Sequence, residues 1–93
     1  MTGETRPRLS RKARLKLDPI DKNHVLLAPE RGMVLNPSAA EILARCDGER
    51  TVDRIAEELS RQTDAPLDGV RRDVVAFLEE MAKRGLVEWV ELA

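Results

Sequence analysis

Proline at position 37, directly behind asparagine at 36, leaves this chain very little local freedom. Proline has no N–H and a fixed φ, so it suits the first position of a helix and little else in regular structure. Asn36 supplies the complementary half of a start signal, because its side-chain oxygen can accept from an orphan N–H of the first turn. A helix is therefore expected to begin here. Ala39, Ile42, Leu43 and Cys46 follow at i, i+3, i+4 and i+7, forming one apolar face, and Gly48 is the residue expected to end the helix in a left-handed conformation. Thr51 then caps a second helix, with Val52, Ile55, Ala56 and Leu59 repeating the spacing. Two short amphipathic helices joined by a tight glycine turn form a helix-turn-helix unit.

The chain before Asn36 is patterned as strands. Leu15 and Leu17 alternate with Arg14 and Lys16, and the turn formers Asp18-Pro19-Ile20-Asp21-Lys22-Asn23 reverse the direction. A second strand, His24 to Ala28, leads through Pro29-Glu30-Arg31-Gly32 into a third, Met33-Val34-Leu35. Short turns between three strands imply an antiparallel meander. The outer edge of the third strand is then free, blocked by a second copy of the chain, or covered by the N-terminal arm. Downstream, Asp64-Ala65-Pro66 breaks the pattern and opens a third helix to Arg84, with Gly85 behind it. Leu86 to Leu92 reads as a short strand or tail, with Trp89 packing as a lid on the core. The expected fold is α+β and winged helix-turn-helix-like, an N-terminal three-stranded antiparallel β-meander followed by a three-helix bundle.

The third helix is apolar over an unusually wide arc. Val70, Val74, Phe77 and Met81 share one stripe, Leu78 lies beside it, and Val75 lies further round with Arg71. The arc spans roughly 160°, where one core contact needs about 100°. Either the whole arc is covered, by the sheet on one side and the other two helices on the other, or part of it lines a groove.

Charge and composition narrow the function. Met1 to Leu17 carries six basic residues and one acid, +5, which leaves −6 for the remainder of a chain whose net charge is −1. Residues 1–12 lack periodicity and are expected to be a disordered basic arm, dispensable for folding, ahead of a single domain over residues 13–93. With one histidine, one cysteine and no tyrosine, there is no constellation for catalysis, and His24 has no partners at metal-ligand spacing. Neither enzymatic activity nor a cofactor is expected. The single Cys46 suits a reducing cytoplasm, and no apolar run has the roughly 18–20 residues of a membrane span. A winged-helix DNA-binding protein is the alternative. The third helix argues against it, because four bases (Arg71, Arg72, Lys83, Arg84) meet four acids (Asp68, Asp73, Glu79, Glu80) and no net attraction for phosphate remains. The surface that fits better is a strand edge beside an apolar groove, which takes an extended peptide.

Leu35-Asn36-Pro37-Ser38-Ala39-Ala40-Glu41-Ile42-Leu43, with Cys46-Asp47-Gly48, Thr51-Val52 and the upstream Leu27-Ala28-Pro29-Glu30-Arg31, resembles the PqqD family of pyrroloquinoline quinone (PQQ) biosynthesis. The resemblance spans roughly residues 9 to 90. It implies a winged-helix-like peptide chaperone, a RiPP recognition element, that binds the ribosomal precursor peptide PqqA and presents it to the radical S-adenosylmethionine enzyme PqqE, which holds the iron–sulfur chemistry. It further implies binding between the third strand and third helix, here Met33, Val34, Leu35 and Arg71, Val74, Val75, Leu78. Neither nucleic acid nor membrane is an expected partner, and the domain is expected as a monomer or homodimer.

Overall fold

In the computed structural model, which describes residues 2–17, 24–28 and 31–90, the helix behind Asn36 starts where its cap requires. Asn36 Oδ1 accepts from the Ala39 N–H at 2.7 Å, and α1 runs Pro37–Ala44. Its end differs from expectation. The Arg45 and Cys46 N–H groups close tight i→i+3 bonds onto Ile42 and Leu43, so the helix is finished before Gly48 is reached. Gly48, at φ +80°, lies in the following turn and donates its N–H to the Pro7 carbonyl at 2.9 Å. Helix α2, Val52–Thr63, is capped by Thr51 Oγ1 on the Arg54 N–H and ends at Asp64, whose φ of 55° is left-handed. Helix α3 spans Leu67–Lys83, and behind it Gly85, at φ +73°, donates to the Ala82 carbonyl.

The meander is present as β2 (Arg14–Leu17), β3 (His24–Ala28) and β4 (Arg31–Leu35), antiparallel in the order β2-β3-β4. Leu15, Leu26 and Met33 stand opposite one another in one cross-strand row. With Leu35 they form the inward face, on which α1 packs. The turn expected over residues 18–23, the first two residues of the turn at 29–32, and residues 91–93 lie outside the described residues.

The expectation of a disordered arm over residues 1–12 is corrected. Arg6–Leu9 forms β1, antiparallel to β5 (Val87–Val90) at the far end of the chain. The other side of β1 faces the α1–α2 turn: Leu9 donates to the Cys46 carbonyl, the Pro7 carbonyl accepts from Gly48, and Arg8 bridges to Asp47. Pro7 is fully buried, and with no N–H to donate it meets the turn through its carbonyl alone. Further back, the Thr5 and Gly3 carbonyls accept from Val52 and Asp53 at 2.9 and 3.0 Å. These are the first two N–H groups of α2, donors that a helix cannot satisfy internally. Periodicity missed the strand because backbone bonds to distant segments hold it, with few apolar side chains of its own.

One core joins these layers. Leu26, Leu43, Val52, Ile55, Val74 and Leu78 are its most completely buried aliphatic side chains, and Trp89 is half-buried against it. Outside the core, Glu58 clamps the helix-turn-helix by accepting from Arg45, Arg50 and Arg54 Nε at 3.1, 3.2 and 3.0 Å. The Arg54 hydrogen bond above all, then those of Arg50 and Arg45, hold the Glu58 carboxyl below its ordinary value against the opposing effect of burial. Asp47 is likewise depressed, chiefly by the Arg50 backbone N–H that it accepts along with that of Glu49.

Two outcomes follow. Deleting residues 1–10 removes both α2 cap acceptors, a β5 partner and the buried Pro7, so the melting temperature read by circular dichroism should fall by more than about 10 °C. Both carboxylates have folded pKa values below their ordinary 4.5 and 3.8, so they stabilise the fold fully above those values. Thermal stability should therefore be level near neutrality and decline as pH falls below about 4.5, and Glu58→Gln should flatten the upper part of that decline.

Candidate functional site

β4 ends one residue before the Asn36 cap, so the exposed strand and the start of α1 are rigidly joined. Among the described strands, only β3 pairs with β4. The arm does not cover the outer edge, because β1 is engaged with β5. Val34 in the middle of β4 is 70% exposed, whereas its neighbours Met33 and Leu35 turn inward, half-buried and buried. Among the described residues, the outer edge of β4 therefore has no strand partner, the requirement for accepting another strand.

The α3 residues expected beside it divide. Val74 and Leu78 are 1% and 0% exposed, and Leu78 lies sealed in the core instead of lining a groove. Arg71 faces α2, its Nε 3.1 Å from Asp53 Oδ1, but the N–H is not directed at the carboxylate and the pair is electrostatic without a hydrogen bond. Val75 is half-buried against the core. The wide apolar arc is real, but the edge of it that stays open is the opposite one.

That open edge forms a cleft of about 420 Å³ between the three helices. Ile42, Leu59, Val70 and Val74 contribute its apolar surface, while Ser38, Glu41, Gln62 and Asp73 contribute polar groups. Its size falls in the range of small-ligand and side-chain pockets. Of the candidate residues, Val74 alone borders it. Sequence reasoning missed Val70 and Asp73, although a turn-by-turn extension from Val74 reaches both. It also missed the α1 wall, Pro37, Ser38, Glu41 and Ile42, for which the capping signal had drawn attention to structure alone. Glu41 is also held by Arg45, whose Nη1 lies 2.6 Å from its carboxylate.

The surroundings are chemically quiet. Cys46 is buried, with Sγ donating to the Ile42 carbonyl at 3.3 Å, and desolvation, assisted by the Asp47 charge, pushes its thiol up to about 12. Such a thiol supplies no thiolate near neutral pH. Among the described residues, no group of three or more His, Cys, Asp or Glu side chains is placed to hold a metal ion, and no helix is long and apolar enough to cross a membrane.

The family model of coenzyme PQQ synthesis protein D (PqqD) matches residues 23–87. The PqqA binding protein of Rhizobium meliloti (strain 1021) is 38% identical over 91 residues, 98% of this chain and 93% of that protein. The bifunctional coenzyme PQQ synthesis protein C/D of Methylorubrum extorquens is 37% identical over 87 residues, which are 94% of this chain but 23% of that longer one. Among solved structures, the solution NMR structure of the PqqD truncation of Methylobacterium extorquens PqqCD, described as a functional stand-alone RiPP recognition element, superposes with a TM-score of 0.80. It has 36% identity and coverage of 95% and 94% of the two chains.

The division of α3 into sealed and open edges is directly testable. Leu78→Ala should cost about 2–5 kcal/mol in chemical denaturation, as expected for truncating a core leucine. Val34→Asp, on an exposed strand position, should change stability by no more than about 0.5 kcal/mol.

Proposed function

Since this chain belongs to the PqqD family, we propose that it is a non-catalytic peptide chaperone of PQQ biosynthesis that binds the precursor peptide PqqA by strand addition and presents it to the radical S-adenosylmethionine enzyme PqqE. The observation that carries this reading is the β4 edge, unpaired among the described residues, whose chain continues through Asn36 into the α1 wall of the cleft. An extended peptide along β4 satisfies the open ladder, each net backbone bond contributing roughly 1 kcal/mol with little dependence on sequence. Selection among peptides then falls to side chains. Met33, Val34 and Leu35 supply the strand, Val70, Val74 and Ile42 the apolar surface for an inserted side chain, while Arg71 pairs with Asp53 of α2 and Val75 packs against the core. The peptide-recognising unit is the domain of residues 13–93, braced by β1. A site of action in the cytoplasm agrees with the lone buried thiol.

Calorimetry with synthetic PqqA tests the two contributions separately. Proline at a ladder-facing peptide position removes one donor and clashes with pairing, so it should weaken binding although the protein is unchanged. Val70→Asp, at a half-buried cleft position, should lower affinity by at least about tenfold, equivalent to 1.4 kcal/mol, while leaving the fold intact by circular dichroism. Wild-type affinity in both experiments would remove the peptide from this site.

A further inference from the structure

The β2–β3–β4 sheet has a second face. α1 covers the first, and the side chains that alternate with the inward ones form two cross-strand rows, Lys16–Val25–Val34 and Arg14–Leu27–Gly32. Each row runs from a cation on β2 to an aliphatic or bare position on β4. Val34 at 70% and Leu27 at 38% are the two large hydrophobics left exposed among the described residues, and both stand here. Gly32 contributes no side chain, and Leu27 and Val25 lie 3.6 and 3.7 Å from the place its Cβ would take. A small apolar strip therefore extends over the β4 backbone.

Among the described residues, the polar part of the face carries one sign. Arg14 and Lys16 are exposed and have no ion-pair partner among the described residues, in contrast to Arg8, Arg45, Arg50 and Arg54. β2, β3 and β4 contain no carboxylate, and Arg11 and Lys12 are exposed in the turn that precedes β2. Cations flanking an exposed aliphatic centre complement a partner with the reverse pattern, an apolar patch bordered by carboxylates. An acidic nucleic acid would use the cations and leave Leu27 and Val34 without a role.

We propose that this outer face docks the enzyme that modifies the bound peptide, through a carboxylate-rimmed apolar surface of that enzyme. The proposal rests on the peptide reading above, because it places the cargo at the β4 border of the same face. Outward side chains of an added strand would continue the rows beyond Val34 and Gly32. One docking event then contacts the carrier at β2 and β3 and the cargo beside β4.

The test is the double charge reversal Arg14→Glu with Lys16→Glu, two exposed side chains, made in the full chain. Calorimetry with PqqA, interferometry with purified PqqE at about 50 and 300 mM salt, and a duplex DNA control are read in parallel. The expected result is peptide affinity within about twofold of wild type, at least a tenfold loss for the enzyme, and wild-type enzyme binding that weakens with salt while the residual binding of the variant does not. Leu27→Ser should also weaken the enzyme without affecting the peptide. Unchanged enzyme affinity in the folded, peptide-binding variant overturns the docking face and leaves the peptide reading standing. Loss of DNA binding alone reassigns the cations to nucleic acid, and a wild-type chain that binds neither peptide nor enzyme overturns both readings.

Discussion

The hydrogen bonds that Val52 and Asp53 donate to the Thr5 and Gly3 carbonyls tie the N-terminus to the start of α2, and the placement of the other elements depends on them. A short helix must find acceptors for its first N–H groups, and here most come from a segment far away in sequence. Meeting that demand draws β1 into the space between the α1–α2 turn and β5. Ser10 continues the seam by donating to the Leu86 carbonyl at 2.9 Å. β1 and β5 are thereby consumed in structure on the side of α2 and α3.

This commitment leaves β4 open. A free arm could have paired with the outer edge of the meander, which would have removed an aggregation hazard. With β1 held elsewhere, the edge stays available, and its exposure is tolerable because β4 is short and Arg14 and Lys16 charge the opposite border of the sheet. Among the described residues, the openness of β4 therefore depends on where β1 is anchored. In the helix-turn-helix, Arg45, Arg50 and Arg54 pair with Glu58, and Arg50 also with Asp47, so that the turn is locked.

Membership in the PqqD family agrees with this economy. The Cys46 thiol is sealed in the core, and the exposed cations of β2 and the edge of β4 lie at opposite borders of one sheet.

Local signals in the sequence determined the helices and the meander, because a capping asparagine, a proline at the first helical position and a threonine cap act within one turn of themselves. The edge at Met33-Val34-Leu35 was legible for the same reason, since strand period and turn residues decide which strand comes last. Tertiary structure alone decided the fate of Arg6–Leu9, whose partners lie some 40 to 80 residues away and bind backbone, which carries no side-chain pattern. It also decided which side of α3 is open. Periodicity around a helix reports how wide the apolar arc is, but the arc is symmetric until α2 and β5 pack against it. Once they do, Leu78 is sealed, Arg71 is drawn to Asp53, and Val70 and Val74 face the cleft.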